Sequence, residues 1–481
     1  MTAKDANAAP SSGDVKWANK AHNRSVKVLA CVAVPLAIWL APLPVPIDAK
    51  ATYTISAFMI LSWMTEVMDY SAAGLLGLLL FWVFAIAEPE IIFSGFVSDA
   101  SWFYLGAVLI GAMATKSGLP QRVGNFVILR IGMTYSRFLL GLITINFLLT
   151  FLVPSGAVVL IVTASIALGV LKLFNAERGS NMGRGAFLVI TYMSGLFNKM
   201  VIAGTATILA RGIIQDSGDT VVSWGLWFFA FLPCALVTIF ASWWLTLKLF
   251  PPETESIVGR EEEVKEHFGA TAEWTPLTTK ASLLIALALG LWMTDWLHGV
   301  SPAIVAFAVG LFALLPYVNV LDEDDFRGVN LLPFFFVGAA LGMSAVLRST
   351  GALEVLTDAA IGRLEPLLSQ EFVAITALYW GGFFYHFFTG SEISMLVTSL
   401  PLLMEYANAN DMDPRWIGMI WAFSSGGKLF AYESAVLVLG YSYGFFRHTD
   451  LIKLGGLLAI VEFVALSLSV VFYWPLLGLT H

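Results

Sequence analysis

Lys199, Glu392, Lys428 and Glu433 all lie inside apolar stretches of this 481-residue chain, which makes them the residues best placed to do chemistry. A charged side chain at bilayer depth costs about 2.5–3.5 kcal/mol on insertion scales, so each needs a partner or a task. A carboxylate there can carry a proton, hold a cation or pair with a basic substrate, and an ammonium can hold an anion. All four can equally pair with one another in a structural network. Around Glu392 stand Thr389, Gly390 and Ser391, which break the run YHFFTGSEISMLVTSLPLLM (385–404) near its middle. Gly beside Ser makes a poor helix interior, so two half-helices meeting at 390–392 in a re-entrant hairpin are expected.

An earlier run, INFLLTFLVPSGAVVLIVTASIAL (145–168), is broken in the same way at Pro154-Ser155-Gly156. Superposing Ile161-Val162-Thr163 on Leu396-Val397-Thr398 pairs Ser155 with Gly390, Gly156 with Ser391 and Ala157 with Glu392. LGAVLIGAMATKSGL and VGAALGMSAVLRSTGAL match with one residue of slippage. Lys199 and Lys428 sit in spans interrupted by Gly, Thr and Ser at corresponding places. Paired broken segments in two halves point to a secondary transporter with its site between them.

With 58% hydrophobic and 12% charged residues, the chain is too apolar for a soluble globule and reads as an all-α polytopic membrane protein. The net charge of −8 comes largely from acidic loops at 261–263 and 322–325, and no basic face for nucleic acid is visible. Cys31 and Cys234 lie in apolar runs and read as packing residues, neither a disulfide framework nor a metal site.

The expected organisation is a disordered cytoplasmic tail at 1–26 and a first transmembrane helix at 27–50. A first inverted repeat follows at 51–250, with its hairpin at 137–172. After a cytoplasmic connector at 251–278 carrying a surface helix, a second repeat occupies 279–481, with its hairpin at 367–405. That makes about eleven transmembrane helices plus two re-entrant hairpins. Amphipathic pieces at 119–131 and 352–364 precede the hairpins. Basic residues such as Lys16, Lys20, Arg24, Arg122, Arg178, Arg184 and Lys265 gather on one side, which puts the amino terminus in the cytoplasm.

Several segments, in order, carry a family likeness. They are Gly106 with Lys116-Ser117-Gly118-Leu119, the tip FLVPSG, and Trp224, Trp227, Phe231 and Pro233 of WGLWFFAFLP. His386-Phe387-Phe388 and LVLGYSYGFF (437–446) complete the set. Together they resemble the divalent anion/sodium symporter (DASS) family, nearest to its bacterial dicarboxylate, citrate and tartrate carriers. The resemblance covers roughly residues 50–480. It implies a homodimer of eleven-helix subunits in the bacterial inner membrane, each with a transport domain that moves like an elevator. It also implies Ser-Asn-Thr triplets at the tips that hold substrate carboxylates and sodium. This chain departs from that pattern, with Ser155-Gly156-Ala157 and Gly390-Ser391-Glu392 at the tips and no Pro-Asn pair near 206–208 or 432–434.

The expected function is secondary transport of small organic anions, with a C4-dicarboxylate as the family default. Coupling is expected to be sodium-independent exchange or proton symport, with sodium symport as the alternative. No cofactor is expected beyond a coupling ion, Na+ or H+. Ser155, Gly156, Ala157, Thr389, Gly390, Ser391 and Glu392 are the expected substrate contacts. Lys199, Lys428, Glu392 and Glu433 are the expected charge-compensating groups, with the partner of Glu433 sought across the domain because a five-residue spacing pairs it poorly with Lys428. An intramembrane enzyme using Ser391 and His386 is the reading of another class; it lacks an orienting third group and an oxyanion motif. His386, Asn146, Asn198 and Glu462 are explained as readily by helix–helix hydrogen bonding as by transport.

Overall fold

A computed structural model describes residues 12–131, 134–218, 220–254 and 274–480. Every regular element among them is helical. Among the described residues, six helices are long and apolar enough to cross a bilayer: Gly156–Leu173, Asn181–Ser217, Trp224–Leu249, Pro276–Met293, Leu332–Ser349 and His448–Leu477. Shorter apolar helices, such as Tyr70–Val83 and Pro302–Leu314, accompany them. The first helix already begins at Ser12. Residues 12–26 are therefore helical, where a disordered tail was expected, because no proline or glycine pair separates them from the apolar run they lead into. The surface helix expected in the connector lies outside the described residues.

The order of elements repeats. Asp99–Lys116, Leu119–Ile131, a hairpin, a broken helix and Trp224–Leu249 are followed later by Leu332–Ser349, Ala352–Leu368, a hairpin, a broken helix and His448–Leu468. Gly118 and Gly351, at φ 66° and 68°, make the same left-handed turn between the first two members of each series. The first hairpin is formed by Tyr135–Thr150 and Gly156–Leu173, and the second by Glu371–Thr389 and Glu392–Ala409. The second hairpin starts at 371 and not at 367, since the amphipathic helix before it runs on to Leu368.

The broken helices are Asn181–Met200 with Thr205–Gly218, and Pro414–Ser424 with Ala435–Ser442. The two series interlock. Glu392–Ala409 packs on Thr205–Gly218, and Ala435–Ser442 packs on Asn181–Met200 and on Gly156–Leu173. Both hairpin tips and both helix breaks thus come together where the halves meet. Tyr70–Val83 packs on Leu332–Ser349, and Asp99–Lys116 on Pro302–Leu314, building a second layer beside this one.

Candidate anion site

Each hairpin turns by a different device and then starts its second arm in the same way. Pro154 ends the first turn, where its fixed φ and missing N–H rule out a continuing helix. Gly390 ends the second, at φ 62°, with its N–H bonded to the His386 carbonyl at 2.9 Å. Ser155 (φ −143°, ψ 108°) then takes the N-cap position of Gly156–Leu173, without a side-chain capping bond, and Ser391 (φ −146°, ψ 127°) that of Glu392–Ala409, where its hydroxyl accepts from the Ser394 N–H at 3.5 Å. The equivalent pair is therefore Ser155 and Ser391, one residue away from the pairing of Ser155 with Gly390 that the apolar text suggests. Cap geometry sets this register, and apolar runs are indifferent to a shift of one. Gly156 is needed because a Cβ there would stand 2.5 Å from the Ser194 carbonyl oxygen.

At the two breaks the helices lose backbone hydrogen bonds, which must be replaced at bilayer depth. Trp227 Nε1 donates to the Lys199 carbonyl at 2.9 Å, and Trp224 Nε1 to that of Ile202 at 3.2 Å. Thr207 Oγ1 donates to the Asn198 carbonyl at 3.2 Å. Across the second break, the Tyr192 hydroxyl lies 2.6 Å from the Lys428 carbonyl and 2.8 Å from that of Leu451. Glu433 Oε2 accepts from the N–H groups of Leu429 at 2.7 Å and Phe430 at 3.1 Å. The partner of Glu433 is thus its own unwound backbone, not a charge across the domain, because the break frees two N–H groups within its reach.

A cavity of about 400 Å³ opens between these four interruptions. Its wall includes the first residues of four helices: Ser155, Gly156 and Ala157; Ser391, Glu392 and Ile393; Gly204 to Thr207; and Ser434, Ala435 and Val436. A helix N-terminus carries about half a positive charge and unsatisfied N–H donors, so four of them around one cavity make it a place for an anion.

Charge reinforces this. Glu392 is shared by two ammonium groups, with Lys428 Nζ 3.1 Å from Oε2 and Lys199 Nζ 3.4 Å from Oε1. Lys199 also donates to Ser425 Oγ at 2.7 Å. Lys428 lines the cavity, whereas Lys199 is buried behind it. Lys199 stands in the last turn of its helix, but Lys428 falls in the unwound stretch itself. The Glu392 carboxylate thus offsets one of the two lysine charges, and the carboxyls of Glu433 and Glu66 also line the wall, so the pull on an anion comes from the four helix N-termini and the Lys428 ammonium.

Ser155, Gly156, Ala157, Gly390, Ser391, Glu392, Lys428 and Glu433 all line the cavity. Thr389 does not. It is buried, and its hydroxyl lies 3.2 Å from the His386 carbonyl and 3.3 Å from that of Ser391, so it closes the turn from behind. His386 is fully buried beneath the tip, and neither ring nitrogen meets a hydrogen-bond partner among the described residues. Glu66 and Tyr70 of the neighbouring layer complete the wall, joined by a 2.9 Å hydrogen bond. Sequence reasoning missed them, because in WMTEVMDY they sit at the ends of two apolar spans, without the break inside a span that marks the tips. Thr205, Thr207 and Ser434 were missed as well; their signal was the short polar residue that starts a half-helix after a break.

Similarity to known proteins agrees with this geometry. The chain is 23% identical to a citrate/succinate antiporter of Escherichia coli, over 94% of this chain and 98% of that one. It is 20% identical to an L-tartrate/succinate antiporter of Escherichia coli, again over 94% and 98%. Its fold is similar to that of the YdaH transporter of Alcanivorax borkumensis, with a TM-score of 0.57 at 15% identity, covering 82% and 90% of the two chains. The model of the sodium:sulfate symporter transmembrane region matches residues 22–480. A multi-pass helical membrane chain whose hairpin tips and helix breaks converge on an anion-attracting cavity, and which that model covers almost end to end, belongs to this family of transporters and is not an enzyme.

Proposed function

We propose that this protein is a secondary carrier of small organic dianions of the C4-dicarboxylate class that works by exchange. The observation that carries the reading is the convergence of four helix N-termini and Lys428 on one cavity. A dicarboxylate has two charged ends to satisfy, and the two tips place serines at equivalent N-cap positions, Ser155 and Ser391, from opposite halves. Two relatives of this chain are named for exchange of succinate against citrate or tartrate.

Exchange follows from the lysines. A sodium ion can dissociate before the return stroke; a tethered ammonium cannot. Unit charges about 4 Å apart at an effective dielectric of about 20 interact by about 4 kcal/mol, so an empty carrier whose two lysines share the one carboxylate of Glu392 reorients reluctantly. Glu392 offsets part of that charge and would permit a slower net, proton-linked mode. Sodium symport is the second reading, favoured by the description of the family itself.

The same reading places the chain in a bacterial inner membrane with its amino terminus cytoplasmic, as a homodimer with an elevator-like transport domain. Its support is the family likeness and the one-sided distribution of basic residues.

Proteoliposomes preloaded with unlabelled succinate, compared with empty ones in sodium or potassium medium, test the proposal. Labelled succinate uptake should be stimulated by internal succinate and indifferent to the external cation. Strict dependence on a sodium gradient would overturn the coupling, and absence of exchange with succinate, citrate and tartrate would overturn the substrate class.

A further inference from the structure

Behind the cavity lies a carboxyl group that the site as described does not use. Glu462, on His448–Leu468, is 1% exposed. Its Oε1 meets only the Thr238 hydroxyl, at a long 3.5 Å, and its Oε2 has no hydrogen-bond partner among the described residues. A buried ionised carboxylate with one weak donor is costly, and the cost falls away when it binds a proton or a cation.

Gly426 brings Glu462 and Lys199 to one backbone position. A Cβ at Gly426, in the second break, would lie 3.4 Å from Lys199 Cδ and 3.7 Å from Glu462 Oε2. Since position 426 has no side chain, nothing from it stands between the Lys199 side chain and this oxygen. Lys199 is the ammonium that Glu392 holds at 3.4 Å from the cavity side. It therefore lies between two carboxyls, Glu392 at the hairpin tip and Glu462 in the packed interior. The other ionisable side chains close enough to act on Glu462 are Lys428, Tyr192 of Asn181–Met200, Tyr379 of Glu371–Thr389, and Cys234 of Trp224–Leu249.

Two ammonium groups, Lys199 and Lys428, thus face three carboxyls, Glu392, Glu433 and Glu462, leaving one negative charge in excess if all are ionised. Glu392 is held by both lysines, and Glu433 by two backbone N–H groups. Glu462 alone lacks donors that would favour its charged form.

We propose that Glu462 is the proton-binding carboxyl of this carrier, neutral while Lys199 is held by Glu392 and ionised as the counter-ion of Lys199 when Glu392 is displaced. The proton adds to a carboxylate oxygen from water and leaves the same way, and no other bond changes. The proposal rests on the anion-carrier reading for its role in transport, because an incoming substrate carboxylate is what would displace Glu392. The protonation itself can be read without any substrate.

The test is the infrared C=O stretch of a protonated carboxyl in the full-length protein reconstituted in lipid, titrated from mildly acidic to mildly alkaline pH. A band that disappears with rising pH in the wild type and is missing from Glu462→Gln supports the proposal. No such band in the wild type, or the same band in Glu462→Gln, overturns it. If Glu462→Gln does not fold, Thr238→Val keeps the carboxyl and removes its one donor among the described residues, so the band should persist to higher pH than in the wild type; an unmoved midpoint overturns the proposal.

Succinate counterflow separates the two readings. With Glu462→Gln, which mimics the protonated form, exchange should lose its pH dependence. Counterflow that is absent already in the wild type would count against the carrier reading, while the band would still decide the protonation.

Discussion

Lys428 Nζ lies 3.1 Å from Glu392 Oε2, so the second hairpin tip is tied to the unwound stretch of the broken helix that follows it. Because Lys199 reaches the other oxygen of the same carboxylate, Glu392 does in the empty carrier what a substrate carboxylate would do in the loaded one.

Replacing Glu392 by Gln leaves two buried lysines without their shared anion. The empty protein should lose about 3 kcal/mol of stability, the low end for breaking a buried pair. Succinate should restore more of the lost melting temperature in Glu392→Gln than it adds to the wild type, since it supplies the missing carboxylate. Thermal unfolding of the purified protein with and without succinate checks this, and a variant that melts like the wild type would remove Glu392 from the account.

The tips give a labelling prediction. With Cys31 and Cys234 replaced, Ser155→Cys and Ser391→Cys should both react with a small aqueous thiol reagent and both be protected by succinate. Gly156→Cys is a poor probe, because its Cβ would press on the Ser194 carbonyl oxygen at 2.5 Å. Gly156→Ala should for the same reason cost more than Gly390→Ala, where the left-handed φ of 62° costs about 1–2 kcal/mol. Equal labelling with and without succinate at both serines would mean that they do not share one site.

Tyr192→Phe tests the support of the second break. It removes the donor to the Lys428 and Leu451 carbonyls, an expected loss of about 1–3 kcal/mol for buried groups left unpaired. The loss should be local, so hydrogen exchange should rise at 428–434 and stay unchanged in Gly156–Leu173. A uniform rise would show that the break does not depend on this hydroxyl.

At the surface, Lys116 holds Asp322 at 2.7 Å and also pairs with Asp325. The Lys116 ammonium, followed by the Asp325 backbone, draws the Asp322 carboxyl down from near 3.8 to about 2. A depressed carboxyl stabilises the fold above its unfolded value and loses that contribution as pH falls through the folded one. The stability difference between the wild type and Lys116→Met should therefore be constant above about pH 4 and shrink between there and about pH 2. Acid unfolding curves that stay parallel through this window would contradict the pairing.

The sequence alone determined the membrane class, both hairpins and both broken helices. The reason is local: Pro154, Gly390 and the Gly-Thr and Ser-Gly-Gly interruptions break apolar runs where an unbroken span would have none, and a bilayer allows few remedies. What it could not determine was the register of the tips, since apolar text tolerates a one-residue slip that the caps Ser155 and Ser391 do not. Nor could it show that Glu433 serves its own backbone while Glu392 serves both lysines; the same five-residue spacing fits either role until the break is built. Glu66 and Tyr70 entered the site only through packing of a separate layer, and Glu462 came near Lys199 only through packing around Gly426. Those pairings join segments far apart in the chain, and side-chain chemistry at such distances is chosen by which helices pack together, a relation that no local period of the sequence encodes.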